Sequence, residues 1–224
     1  MTALFGARDD NVYRSCVLPI VLLTLRAAAI STAIVTPLAI ALAALAWRAP
    51  SPLRAAIDAI GVLPLVLPPT AVGFVLLQIL WRDILFTPQA VVIACAVMSF
   101  PLMYGAARAS IDAAELRYFH IARTLGASPL RAFTTVTLPM AWRGLAAGVV
   151  LAFGRAIGEF GATILIAGNI PGRTQTLALA IYDRVNSGRD ADAMMLVLCV
   201  TLIALTAVVA GEMLVRRQRR QAER

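Results

Sequence analysis

Apolar blocks separated by short charged segments run through most of this chain. A helix needs about 20 mainly apolar residues to cross roughly 30 Å of hydrocarbon, and five blocks reach that length, at about residues 25–47, 59–81, 84–104, 144–167 and 194–215. Arg26 stands at the entrance of the first block, and residues 16–24 lead into it as a shorter, interfacial apolar segment. Pro64, Pro68 and Pro69 punctuate the second block, and Pro88 and Pro101 lie near the two ends of the third. The fourth block carries Arg155 and Glu159, and the fifth has Glu212 near its end. The pattern predicts an all-α, polytopic membrane protein: one transmembrane domain over residues 1–224, with about five spans and termini on opposite sides of the bilayer. Two connections, residues 105–143 and 168–193, are longer than simple turns require, so function is expected in them and in the span they enclose.

Composition agrees and removes several chemistries. Only 14% of the residues are charged, against about 25% in soluble domains. All 20 basic residues are Arg. Without Lys the chain has neither a Walker A phosphate loop nor a Schiff-base nucleophile. The single histidine, His120, excludes zinc sites built on two or three His. Cys16, Cys95 and Cys199 show no C-x-x-C spacing and read as small hydrophobes rather than redox or metal ligands. The first 16 residues mix both charge signs with no apolar core ahead of a small-residue cleavage site, so no secretory signal is read there.

Positive charge is retained on the cytoplasmic side of a membrane. With the C-terminus inside, 12 Arg fall on the inner side and 6 on the outer, where six Asp balance them. The reading is therefore N-terminus outside and C-terminus cytoplasmic. The tail RRQRRQAER directly follows a span, which makes it a topology anchor at anionic lipid rather than a nucleic-acid patch.

In the inner connection, IDAAELRYFHIARTL is rich in helix formers and stops at Gly126, a residue that tolerates positive φ and closes helices. Ser128 supplies an N-cap and Pro129 suits the first helical position. The predicted unit is helix, sharp turn, helix. Ile121, Ala122, Leu125 and Leu130 gather around the turn as a small apolar knob, suited either to a groove on a partner protein or to an interfacial hairpin on lipid.

The stretch HIARTLGASPLRAFTTVTLP resembles the cytoplasmic signature of ABC-importer permeases, E-A-A, three residues, G, nine residues, I-x-L-P. Here the positions read His120, Ile121, Ala122, then Gly126, then Val136, Thr137, Leu138 and Pro139. Spacing is kept throughout, while His120 stands where the signature has Glu and Ile121 where it has Ala. The resemblance implies a coupling helix that docks on a separate ATPase subunit through His120, Ile121, Ala122, Leu125, Gly126, Val136, Leu138 and Pro139. ATP and Mg would then be bound by that partner, and this chain would bind no cofactor or metal itself.

Two further segments, LPLVLPPTAVG (63–73) and GRAIGEFGATILIAGNIPGRTQTLALAIY (154–182), resemble bacterial molybdate importer permeases. Sulfate and thiosulfate permeases share the general plan, but AGNIPGRTQTL (167–177) looks more like the molybdate group. What the resemblance implies is an inner-membrane permease, not an enzyme, that carries molybdate or tungstate. Its implied partners are two ATP-binding subunits, a periplasmic molybdate-binding protein, a second copy of itself and the bilayer, with no nucleic acid.

Arg155 and Glu159 are four apart on one helical face and can pair, as charges inside a membrane must unless they face a water-filled path. They read either as a helix or subunit contact or as part of the translocation path. Gly158, Gly161 and Ala162 allow close helix approach, which favours the contact. Thr70, Ser99 and Thr163 are neutral donors that could line the path. In the outer connection Asn169, Pro171 and Gly172 form a turn signal, and Arg173, Thr174 and Gln175 are candidate contacts to a binding protein or to the entry. An intramembrane hydrolase lacks a nucleophile–base pair here, and a passive channel leaves the coupling-loop spacing without a use.

Overall fold

The computed structural model describes residues 10–114 and 116–222. Arg8, Asp9 and Arg224, which entered the charge balance, lie outside them.

The first apolar block forms one continuous helix, α1 (Asp10–Arg48). It is longer than the sequence reading because the helix runs on through Pro19, as it does through Pro37. Three of its hydroxyls are satisfied locally, Thr24 donating to the Ile20 carbonyl at 2.8 Å, Ser31 to that of Ala28 at 3.0 Å and Thr36 to that of Thr32 at 2.8 Å, while the buried Thr32 hydroxyl has no partner. Small residues, among them Ala28, Ala39, Ala43 and Ala46, line its buried face, which allows close backbone approach where lipid supplies no hydrophobic drive.

The second block is not a straight span. It divides into α2 (Ser51–Val66) and α3 (Pro69–Ile79), bent by 109°. A proline disfavours helical geometry in its predecessor and lacks an N–H, and the consecutive Pro68 and Pro69 hold Leu67 and Pro68 extended, at ψ 143° and 136°. The third block becomes α4 (Pro88–Ala113), with Pro88 in its first turn, where a missing N–H costs nothing. This helix is the centre of the bundle. It packs against α1, α2, α7 and α8, with Val91, Cys95, Met103, Tyr104 and Ile111 fully enclosed.

Beyond α4 come α5 (Leu116–Thr124), α6 (Pro129–Ala132), a π-helical segment at Phe133–Thr137, and α7 (Leu138–Ile157). The helical run that could supply the fourth span is Pro129–Ile157, offset from the apolar block at about 144–167. Gly158 caps it, and the chain restarts as the short α8 (Gly161–Ile166). The outer connection contains α9 (Leu177–Asn186), and α10 (Asp190–Ala222) carries the last apolar block. Among the described residues, four helices are long and apolar enough to cross a membrane, or five if the bent α2–α3 pair counts as one span.

Candidate functional site

The turn after α5 is built as its residues dictate. The Ala127 N–H reaches back to the Ala122 carbonyl at 3.0 Å and the Gly126 N–H to that of Arg123 at 3.1 Å, the paired bonds of a Schellman ending. Such an ending needs its C′ residue in the left-handed region, and Gly126 sits there at φ +88°. Ser128 Oγ then accepts from the Arg131 N–H at 3.2 Å and starts α6 behind Pro129. The result is an apolar knob in the open, with Leu125 83% and Leu130 69% exposed. Beside it lies a groove of about 550 Å³ lined by Ile121, Ala122, Leu125, Val136, Pro139 and Met140. Four signature positions, with Leu125, thus converge on one surface. His120 is exposed at its edge, against the Phe119 ring, whereas Leu138 packs inward toward the core.

Sequence reasoning missed what fastens this knob to the bundle. Trp47 at the end of α1 packs edge-on against Phe119 at 5.0 Å and near Phe133 at 6.3 Å. Arg48 donates to the Pro129 carbonyl at 3.0 Å. The knob therefore rides on α1 and the π segment together. The π segment itself carries no composition signal; it shows only in the backbone bonding.

At the same end of the bundle, α2 and α4 are tied by a polar chain. Asp58 accepts from the Tyr104 hydroxyl and from Arg108 Nε at 3.1 Å, and Asp112 pairs with Arg108 at 2.5 Å and Arg54 at 3.0 Å. The signal was present as two i,i+4 charge pairs, Arg54/Asp58 and Arg108/Asp112, but only the second closes within its helix. The Tyr104 ring lies flat over Gly61, where an added Cβ would meet it at 2.7 Å. Gly61→Ala should therefore lower stability by about 1–3 kcal/mol through overpacking and loosen the Asp58 bond. Thermal unfolding of the detergent-purified chain checks this, and an unchanged midpoint would show that α2 shifts freely.

The two helix breaks meet. Gly161 at the start of α8 faces Pro69 and the Thr70 backbone, and Gly73 one turn on lies against Ala162; an added Cβ would come within 2.7 Å and 2.8 Å of these neighbours. Glu159, 2% exposed, holds the second break. Its Oε1 accepts from the Ala162 N–H at 2.8 Å and its Oε2 pairs with Arg155 at 2.7 Å. The carboxylate thus supplies an acceptor to the free N–H groups that every helix start carries. Thr163 is enclosed, and its hydroxyl has no hydrogen-bond partner. Thr70 is exposed at the start of α3. Thr70 is thus brought from a distant part of the sequence to the segment that carries Arg155, Glu159 and Thr163, while Ser99 is buried and bonded within α4.

The outer connection is less open than its polarity implied. Thr174 and Gln175 are buried, at 0% and 4%. Thr174 Oγ1 accepts from the Ile170 N–H at 3.1 Å and donates to the Gly168 carbonyl at 3.3 Å, closing the turn. Leu177 N–H bonds Thr24 Oγ1 at 2.9 Å, which seats α9 on α1. Thr174 therefore does not present itself to a partner, because its hydroxyl is consumed by its own loop. Arg173 is exposed, and Asn169 is half-buried with an unpartnered side-chain oxygen.

Residues 33–220 match the family described as binding-protein-dependent transport system inner membrane component. The molybdenum transport system permease protein ModB of Escherichia coli K12 is 37% identical over 219 residues, covering 91% of this chain and 96% of that protein. A putative molybdenum permease, YvgM of Bacillus subtilis, is 40% identical over 165 residues, or 67% of this chain and 73% of its own length. Among solved structures, the MetNI methionine ABC transporter in inward-facing form superposes with a TM-score of 0.79 at 16% identity, over 94% of this chain and 98% of that one. An importer of the acidic polysaccharide alginate gives 0.71 at 17% identity, over 89% and 79%. At these identities the two structures speak to fold alone.

Proposed function

The chain belongs to the binding-protein-dependent transport system inner membrane components, and from that premise we propose that it is the membrane-spanning subunit of an ATP-driven importer carrying molybdate. It is a transport subunit and not an enzyme. The observation that carries the substrate is the likeness to a molybdenum permease over nine-tenths of the chain. The segments that resemble molybdate permeases in the sequence, 63–73 and 154–182, include the facing breaks at Pro69 and Gly161.

The chain offers no lysine for a nucleotide, so ATP and Mg belong to a partner. The knob at Leu125 and its groove give that partner an apolar hold. Two ATPases and two copies of this chain would form a twofold assembly, and the exposed Val66, Ile79 and Trp81 of the α2–α3 region, at 65–79%, support a contact there. The Arg bias supports an orientation with the knob and the C-terminus in the cytoplasm and the N-terminus outside. Arg155, Glu159, Thr163 and Thr70 would border the path or the subunit contact, and Arg173 and Asn169 would meet the loaded binding protein. ATP-driven movement of the knob, carried through Trp47 and Arg48 to α1 and through the π segment to α7, would then rock the bundle between its two access states.

The test is reconstitution with a cognate ATPase and binding protein in liposomes. Molybdate should stimulate ATP turnover and enter the lumen, and tungstate should compete. Stimulation by sulfate alone would move the chain to the sulfate group. Failure to recruit any ATPase would remove the importer reading altogether.

A further inference from the structure

At the end of the bundle away from the knob, a cleft of about 830 Å³ opens between α1, the start of α4, the turn at 171–175 and the C-terminal end of α9 with Arg189 beyond it. Four guanidinium groups line it, from Arg26, Arg173, Arg184 and Arg189, against one carboxylate, Asp183. Asp183 is shared by Arg184 at 3.1 Å and Arg189 at 3.6 Å. Arg26 and Arg173 have no acidic partner among the described residues. Arg184, with its side chain only 14% exposed, also keeps a buried Nε without an acceptor. Apart from Gln175 and the Pro171–Gly172 turn, the rest of the wall is apolar, including Leu22 and Ile30 on the outward face of α1, 42% and 50% exposed, and Val92 of α4.

Depth follows from the helix. Arg26 precedes Arg48 by 22 residues on α1, about 33 Å at 1.5 Å per residue. Arg48 sits at the knob, so Arg26 lies one hydrocarbon thickness away, at the opposite headgroup boundary. An amphipathic cleft at that level, positive at its rim and greasy along α1, fits one class of ligand. We propose that it binds an anionic phospholipid, the phosphate between Arg26, Arg173 and the Arg184–Arg189 pair and an acyl chain running inward along Ile30 and Val92. A small hydrated oxyanion would use the rim and gain nothing from the wall. The bound lipid would clip α1 to the outer turn and so restrain the helix that carries the knob at its other end.

Native mass spectrometry of the detergent-purified full chain, offered phosphatidylglycerol or phosphatidylcholine with identical acyl chains, tests this. The parent should retain phosphatidylglycerol in preference, and the retention should fall as salt rises. Arg26→Gln with Arg173→Gln, which removes no internal ion pair, should weaken retention on the order of tenfold while the unfolding midpoint holds. Should that variant misfold, the salt titration of the parent decides alone. Equal retention of the two lipids, salt-insensitive binding, or an unaffected double variant would overturn the proposal. Displacement by inorganic phosphate or molybdate at equal concentration would make the cleft a simple oxyanion site. Capture of an acidic peptide with no lipid preference would make it a protein contact. Either result overturns it without touching the transport reading.

Discussion

Arg155→Ala destabilises the folded chain by about 3–5 kcal/mol, the cost of leaving one member of a buried pair uncompensated. Glu159 is the member left behind, with its side chain 1% exposed. Its carboxylate has no water to turn to, and the Ala162 N–H at 2.8 Å is its other contact. Glu159→Gln should cost less. The amide oxygen can still accept from Ala162, and the stranded Arg155 side chain is 26% exposed and can reach solvent. Replacing both by Met should recover much of the loss, because an apolar pair of similar volume escapes the desolvation penalty. The three variants should therefore rank double Met, Glu159→Gln, Arg155→Ala in falling thermal stability in detergent. Uptake separates the two remaining roles. A double-Met variant that folds and transports normally would make the pair a structural fastening of the α7–α8 break. One that folds but does not transport would place it on the path. An Arg155→Ala chain as stable as the parent would mean that Glu159 is not truly dry.

Much of this arrangement was legible from local rules, and the limits of those rules are equally local. Gly126, Ser128 and Pro129 act over three or four residues, so their turn could be written down from sequence. Arg155 and Glu159 are one helical turn apart, so their pairing could be too. The breaks were harder. Hydropathy sums over about 20 residues, and neither Leu67–Pro68 nor Gly158–Phe160 lowers such a sum enough to show that a span has ended. The paired prolines carried the signal for the first break, and Glu159 accepting a backbone N–H carried it for the second. Asp58 failed for a different reason: its nearest sequence partner, Arg54, turns away to Asp112, and only the packing of Tyr104 on Gly61 decides that Asp58 bridges to α4. Thr174 read as a solvated loop donor because sequence cannot show that its hydroxyl is spent inside the turn.

Docking of the ATPase should fail through two substitutions that act by different means. Gly126→Val forces a branched side chain into φ +88°, where an L-residue pays roughly 1–2 kcal/mol. Open space surrounds that position, so the loss is backbone strain rather than collision. The turn relieves it by moving Leu125 and Leu130 off their positions. Gly126→Asn should be milder, since Asn visits the left-handed region more readily. Leu125→Asp leaves the backbone alone. With Leu125 83% exposed in the isolated chain, its folding should be untouched, yet docking loses an apolar anchor worth about 1.5–3 kcal/mol when buried and gains a charge to desolvate. Co-purification of the ATPase and molybdate-stimulated ATP turnover should each fall about tenfold or more, with the unfolding midpoint of the Leu125 variant unchanged. If Leu125→Asp keeps full ATPase binding while Gly126→Val loses it, the grip lies in the groove toward Met140 and not on the knob. If both keep it, the helix–turn–helix is an interfacial hairpin, and the partner must hold the chain elsewhere.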